Sequence, residues 1–142
     1  MTTPETLLNT LGTINQSAAF NRWTGWKVDS AADGAATLVL DWKPEFGQYA
    51  GFLHASLIGG LIDTACGFAA ATQVGRVLAS HFSVNCLRPA VGERFIARAR
   101  VVKPGKSQVF TACEVFAVQD GQEKLVATGE TILVPVASVT SP

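Results

Sequence analysis

The sequence predicts an α+β domain in which a curved antiparallel sheet wraps one long apolar helix. Two observations lead to this fold class. Residues from Leu57 to Thr72 form an almost wholly apolar run, and the chain after Gly75 consists of strand-like segments separated by turn signals. A helix that is apolar on nearly all sides must be covered by other elements, and a sheet provides that cover. A length of 142 residues fits a single domain.

The segments before the apolar run carry local signals of their own. Leucine and isoleucine recur at helical spacing between residues 7 and 14, and an Ala-Asp-Gly turn at residues 32–34 separates two short strand patterns. A stretch with proline, glycines and aromatic residues then indicates a loop. The predicted elements are, in order, a helix over Pro4–Gln16, strands over Trp26–Ser30 and Ala35–Asp41, and a loop over Lys43–Leu53.

The apolar run predicts a helix from about His54 to Gln73. The run itself is about 16 residues, shorter than the ~20 that a bilayer requires, so a buried helix is favoured over a membrane span. Four strands follow, over Leu78–Leu87, Glu93–Lys103, Ser107–Gln119 and Lys124–Val134. Because turns join these strands in succession, we expect an antiparallel meander, with an open edge suited to strand-to-strand dimerisation.

Composition restricts the classes of partner. Charged residues make up only 15% of the chain against a usual share of about 25%, which indicates apolar surface hidden in a subunit interface, although a thick monomeric core would give the same composition. Basic and acidic residues balance at 11 each and form no basic block, so no nucleic-acid partner is expected. The three cysteines form no CxxC pair, and we expect no metal or redox cofactor. No signal-peptide pattern is present, so a cytoplasmic location without a membrane partner is expected.

A set of residues around the start of the long helix resembles a known motif. Gln48 is followed six residues later by His54-Ala55-Ser56, and Asp63 stands eight residues after Ala55. Further matches follow at Phe82–Pro89, Lys103–Lys106, Asp120-Gly121 and Ala127–Gly129. With the predicted order of elements, these residues resemble the PaaI-like acyl-CoA thioesterases, which have the hotdog fold. The resemblance covers about residues 20–135.

The resemblance implies a single hotdog domain over residues 1–142, with its core at about 20–135 and a short N-terminal helix at about 4–16. It also implies hydrolysis of an acyl-CoA thioester, with Asp63 as base or nucleophile and the Ala55 backbone N–H as oxyanion donor. His54 and Gln48 are the remaining candidate catalytic residues. The family motif has His-Gly-Gly where this chain has His-Ala-Ser, and it often has Ser or Thr where this chain has Ala79 beside Ser80.

Helix geometry adds a constraint on the number of chains in the site. Ala55 and Asp63 are eight residues apart, which is about 12 Å along a helix axis. One thioester carbonyl cannot lie within reach of both groups in one chain. If both groups serve one thioester, we expect a two-fold dimer in which each site takes Ala55 from one subunit and Asp63 from the other. The resemblance further implies a homotetramer.

Aromatic residues cluster ahead of the helix and could line an acyl pocket together with Phe68, so an aryl or medium-chain acyl group is expected; they are Trp23, Trp26, Phe46, Tyr49 and Phe52. The candidate substrate-binding residues, including cations for the phosphates of coenzyme A, are Phe46, Tyr49, Phe52, Phe68, Ser80, Arg88, Lys103 and Lys106. Two alternatives remain open. One is a non-catalytic acyl-CoA-binding module. The other is a 3-hydroxyacyl thioester dehydratase, which is disfavoured because residues 50–58 lack the proline pattern of those enzymes.

Overall fold

A computed structural model describes residues 3–137, so the ends of the predicted domain, residues 1–2 and 138–142, lie outside the described part. The described residues form an α+β fold, which confirms the predicted class. Its elements are α1 (Pro4–Ser17), α2 (Ala19–Thr24), β1 (Lys27–Ala32), β2 (Ala35–Asp41), a 3-10 turn (Pro44–Phe46), α3 (Ala55–Val74), β3 (Val77–Cys86), β4 (Arg94–Lys103), β5 (Val109–Gln119) and β6 (Gln122–Pro135).

The N-terminal region contains a second helix that the sequence analysis did not predict. The side chain of Thr3 caps α1 by accepting a hydrogen bond from the N–H of Thr6. The buried Asn15 donates from its amide to the carbonyl of Trp26 at 2.8 Å, which fixes α1 to the start of β1. Helix α2 lies between α1 and β1, makes less than two turns and ends at Gly25. The φ of Gly25 is 73°, a left-handed conformation that suits glycine. Six residues are too few to show a helical period, which explains the omission.

The six strands form one antiparallel sheet in the order β1-β2-β4-β5-β6-β3. The prediction that β3 to β6 form a four-strand meander is wrong, because β3 pairs with β6 at the far side of the sheet. Of the four strands after α3, only β4, β5 and β6 follow one another as neighbours, and the tight Asp120-Gly121 turn joins the last two. The connection from β3 to β4 is longer and begins with the N–H groups of Leu87 and Arg88 donating to the carbonyl of Val126, which extends the pairing with β6.

Helix α3 is the core of the fold, as predicted, and it contacts every strand of the sheet. By length and apolar composition alone it could cross a membrane, but its apolar side chains pack against the sheet. The helix and the sheet approach each other closely at Gly129 of β6, where an added Cβ would lie 2.8 Å from the side chain of Ile62 and 2.6 Å from the Ser83 carbonyl oxygen. Glycine at 129 therefore allows the helix and two strands to meet.

Strand β3 forms one edge of the sheet and is exposed along most of its length. Two of its large apolar side chains, Leu78 and Phe82, are 61% and 49% exposed. Unpaired backbone groups on an edge strand are a ready surface for another strand, and exposed apolar side chains strengthen that tendency. The open sheet edge on which the predicted dimer depends is therefore present. It is formed by β3, which lies beside β6 and not beside β4 as the predicted meander required.

Candidate active site

The start of α3 is held in place by backbone hydrogen bonds from the preceding loop. The N–H of His54 donates to the carbonyl of Phe46 at 2.9 Å, and the N–H of Leu53 donates to the carbonyl of Ala90 at 3.0 Å. Within the loop, the N–H of Gln48 donates to the carbonyl of Phe52 at 2.7 Å. These bonds fix both sides of the loop, so the first turn of the helix has a defined position relative to the sheet.

His54 caps α3 with its ring. The ring Nδ1 accepts a hydrogen bond from the N–H of Ser56 at 3.0 Å, and the His54 carbonyl accepts from Leu57 and Ile58. An accepting Nδ1 places the proton of the neutral ring on Nε2. Within residues 3–137, the N–H of Ala55 donates no hydrogen bond. It therefore stays available in the first turn, at the positive end of the helix dipole, where a developing oxyanion could accept it.

Asp63 lies in the middle of α3 as a partly buried carboxylate. Across the described part of the chain it makes no hydrogen bond and no ion pair, and burial raises the pKa of its carboxyl above the ordinary value of 3.8. Ser56, Gly60 and Gly67 share its side of the helix, and none of the four is fully buried. We refer to these four residues as the open face of α3. A carboxylate without a partner in such a position is a candidate base or nucleophile.

The polar groups predicted to act together are not brought together within one chain. Ala55 and Asp63 stay on one continuous helix, so they remain about 12 Å apart along its axis. The side-chain oxygen of Gln48 accepts a hydrogen bond from the N–H of Ala50, and it therefore braces its own loop. Ser80 occupies a bulge in β3, where its hydroxyl donates to the carbonyl of Ile132 at 3.2 Å.

The predicted aromatic lining residues lie in different environments. Phe46 and Phe68 are 1% and 8% exposed, so their rings belong to the core and present almost no surface to a ligand in the single chain. Phe52 is partly buried in the loop before α3, and Tyr49 is fully exposed at the tip of that loop.

Two further aromatic residues lie near the open face of α3: Trp23, which the sequence analysis included among the aromatics for an acyl pocket, and Phe20, which it did not select. Phe20 and Trp23 are on α2, and each is about half exposed. An added Cβ at Gly60 would lie 3.6 Å from the ring of Phe20. The spacing of the two aromatics by three residues was the available signal, but it indicates a shared face only once the short helix is recognised.

The predicted cations are exposed at two distant ends of the sheet. Lys103 pairs with Phe110, which in turn pairs with Ile132 of β6, and Lys106 follows in the next turn. Arg88 lies beside Val126 of β6, to whose carbonyl its N–H donates. Residues 126 and 132 are six positions apart on one strand, which is about 20 Å. Arg88 and the two lysines of one chain therefore do not form a single phosphate site.

One turn after Asp63, a buried polar cluster joins α3 to the sheet. Cys66 and Cys113 are neighbours, and the Cys113 thiol donates to the carbonyl of Glu114 at 3.7 Å. Interaction with Cys66, together with burial, raises the pKa of the Cys113 thiol. The hydroxyl of Thr111 donates to the carbonyl of Thr131 at 2.8 Å. Both thiols are buried and belong to the core, as the apolar residues around them in the sequence indicated. The same expectation is wrong for Cys86, which is exposed at the end of the edge strand β3.

Residues 50–124, more than half of the chain, match the family model of the thioesterase superfamily. The chain belongs to this superfamily. A thioesterase family protein from Silicibacter pomeroyi of known structure is 32% identical, with a TM-score of 0.86, and the match covers 90% of this chain and 96% of that one. The resemblance inferred from the sequence is therefore confirmed at the level of the superfamily.

Other relatives agree with the fold of this thioesterase. The PaaI protein of Escherichia coli, from the phenylacetic acid degradation operon, has a TM-score of 0.84 at 21% identity, covering 94% of this chain and 96% of that one. The predicted hotdog fold is confirmed by this likeness. A curated protein of Sulfurisphaera tokodaii, described as a candidate esterase, is 28% identical over 120 residues, which are 84% of this chain and 88% of that protein. Family membership and these descriptions together support thioester hydrolysis in general.

Proposed function

We propose that this thioesterase hydrolyses an aryl- or medium-chain acyl-CoA to the free acid and coenzyme A, with Asp63 as base or nucleophile. The observation that carries the proposal is the partly buried Asp63 carboxylate, which has no hydrogen-bond or ionic partner within residues 3–137. Leaving a partly buried charge without a partner costs folding free energy. Such a cost is characteristic of a group whose partner is a substrate or another subunit.

The proposed site lies between two subunits. In a two-fold dimer with antiparallel α3 helices, the start of each helix would approach Asp63 of the other chain, which overcomes the distance between Ala55 and Asp63 in one chain. The exposed edge strand β3, with Leu78 and Phe82, offers apolar surface and unpaired backbone groups for such an association. A tetramer built from two of these dimers is the assembly we propose.

The chemistry divides between the two groups. The Ala55 N–H would donate to the thioester oxygen as negative charge develops on it. Asp63 would either accept a proton from a water that attacks the carbonyl carbon, or attack that carbon itself to give an anhydride that water then hydrolyses. In both routes the C–S bond breaks and coenzyme A leaves as the thiolate. The residues supply what the reaction needs, and we propose that no metal or redox cofactor takes part.

His54 and Gln48 are proposed to position the site. The His54 ring holds the first turn of α3 through the N–H of Ser56, and Gln48 braces the loop that precedes it. Among the candidate acyl-binding residues, Phe52 and Tyr49 present surface, and Ser80 lies on the strand next to the proposed partner. Because Arg88 and the lysines at 103 and 106 lie at opposite ends of the sheet, we propose that each coenzyme A uses only one of these ends in a given subunit.

The test of Asp63 is thiol release from a panel of acyl-CoA thioesters by wild type, Asp63→Asn and the control Asp41→Asn. Asp41 is an exposed acid paired with Arg94, so its substitution keeps the same change of charge away from the site. We expect Asp63→Asn to abolish release and Asp41→Asn to retain it. Equal rates for all three proteins would remove Asp63 from the mechanism. Saturable binding by wild type without release would favour a non-catalytic acyl-CoA-binding module.

The test of the two-subunit site uses Ala55→Pro. Residue 55 is the first residue of α3 and follows an extended His54, a position that accepts proline, so the substitution removes only the N–H. We expect Ala55→Pro to be inactive and the control Ala55→Gly to be active. Mixing inactive Ala55→Pro and Asp63→Asn chains should restore about a quarter of wild-type activity, since half of the reassorted dimers are mixed and each has one intact site. No recovery after verified mixing would contradict the shared site.

A further inference from the structure

Helix α2 places two large aromatic side chains together on the surface. Phe20 and Trp23 are three residues apart, so they share one side of the helix, and their ring centroids are 5.8 Å apart. Buried rings hold them from below, because Phe20 meets Trp26 edge-on at 5.5 Å and Trp23 meets Phe46 edge-on at 5.2 Å. Yet Phe20 and Trp23 remain 50% and 49% exposed. Two adjacent rings held rigidly with half their surface exposed suggest a binding surface.

Phe20, one member of this aromatic pair, borders the open face of α3 at Gly60. An added Cβ at Gly60 would lie 3.1 Å from the ring of Trp26 and 3.6 Å from the ring of Phe20. On the other side of the helix, an added Cβ at Gly59 would lie 3.4 Å from the ring of Phe82. Gly60, which is partly exposed, therefore leaves open the space beside the ring of Phe20, whereas Gly59 is buried beneath Phe82. Asp63 is one turn beyond Gly60, about 4.5 Å along the axis.

We infer that Phe20 and Trp23 form the wall that binds the acyl group, and that Gly60 keeps the floor beneath it open. The inference rests on the proposed function, which places the thioester carbonyl beside Asp63. The acyl group is attached to that carbonyl and must therefore occupy the space next to Asp63. Flat aromatic rings and an absent side chain at residue 60 suit an aryl or medium-chain acyl group. Phe20 and Trp23 are therefore specificity-determining residues and take no part in the chemical step.

Acyl-chain selectivity provides the test. Wild type, Phe20→Ala, Trp23→Ala and the conservative Phe20→Leu are assayed with acetyl-, octanoyl- and benzoyl-CoA. Phe110→Ala is the matched control, because Phe110 is a similarly exposed phenylalanine of β5, a strand remote from α2. We expect Phe20→Ala and Trp23→Ala to lower kcat/KM for octanoyl- and benzoyl-CoA by roughly tenfold or more, with little change for acetyl-CoA. Phe20→Leu should retain most of the octanoyl rate, and Phe110→Ala should match wild type.

A second measurement separates this inference from the proposed function. Binding of octyl- and ethyl-CoA thioethers, which cannot be hydrolysed, is measured for the same proteins, together with their oligomeric state. Wild type that releases no thiol would refute the proposed hydrolysis, whereas loss of the preference for octyl over ethyl in the alanine variants would still support the acyl wall. An unchanged preference in both alanine variants overturns the inference. Dissociation of the oligomer with selectivity intact would also overturn it, because the aromatic pair would then be a subunit contact.

Discussion

Replacing Gly67 with alanine tests whether another subunit covers the open face of α3. Gly67 is one turn past Asp63 on that face, and an added Cβ would meet no atom of the chain within 4 Å. Glycine inside a helix is about 0.8–1.0 kcal/mol less favourable than alanine. In a free single chain, Gly67→Ala should therefore raise the free energy of unfolding by about 1 kcal/mol. Gly12 of α1 has equally open surroundings, so Gly12→Ala is a control for which the same gain in the free energy of unfolding is expected.

The proposed dimer predicts that the two substitutions differ. If Ala55 of one chain approaches Asp63 of the other, the antiparallel register places Gly67 opposite the loop before the partner's helix, where a methyl group has less room. We expect Gly12→Ala to raise Tm by about 2–4 °C. Gly67→Ala should show no such gain and should weaken the dimer. Calorimetry measures Tm, and sedimentation velocity over a dilution series measures association. Equal stabilisation by both substitutions, with association unchanged, would refute the two-chain site.

Three further outcomes are expected from the contacts of the site. Because burial raises the pKa of Asp63, the folded state binds this proton more tightly than the unfolded state, so stability falls as pH rises from 3.8 through the raised value. Asp63→Asn should remove this loss of stability when urea unfolding is measured at several pH values. The same dependence of stability on pH in wild type and in Asp63→Asn would contradict the raised pKa of Asp63. His54→Ala should cost about 0.5–2 kcal/mol by losing the cap on Ser56, whereas His54→Asn should retain most of it, and equal losses in denaturant unfolding would argue against the cap. Gly129→Ala should lower stability by about 1–3 kcal/mol because its Cβ would lie 2.6 Å from the Ser83 carbonyl oxygen, and an unchanged Tm would refute that contact.

Local signals in the sequence were sufficient for most of the secondary structure. The Asp-Gly turns at residues 33–34 and 120–121 both adopt positive φ at both positions, the conformation that fits a tight hairpin, and the strands on either side of them were predicted to within a few residues. The apolar run likewise predicted α3, which begins at Ala55 rather than His54. These features depend on residues near one another in the chain, which is why a single sequence reveals them.

The position of β3 could not be obtained in the same way. Its pairing with β6 depends on how ten residues of β3 fit against α3 and a strand made much later, and no turn between them encodes the pairing. The candidate site likewise contains one feature that the sequence predicts and others that it does not. The spacing of Ala55 and Asp63 along one helix was predictable, whereas the use of Gln48 to brace its own loop and the burial of Phe46 depend on tertiary contacts.

The pairing of β3 with β6 has a consequence for how the chain is made. The Ser80 hydroxyl and its partner, the carbonyl of Ile132, are 52 residues apart in sequence, so β3 leaves the ribosome well before the strand that covers its inner edge. At translation rates of about 5–20 residues per second, the delay is on the order of several seconds. During that time an apolar strand containing Leu78 and Phe82 has no partner in its own chain. Chains that stop before β6 should therefore aggregate, and chaperone binding during synthesis should concentrate on β3.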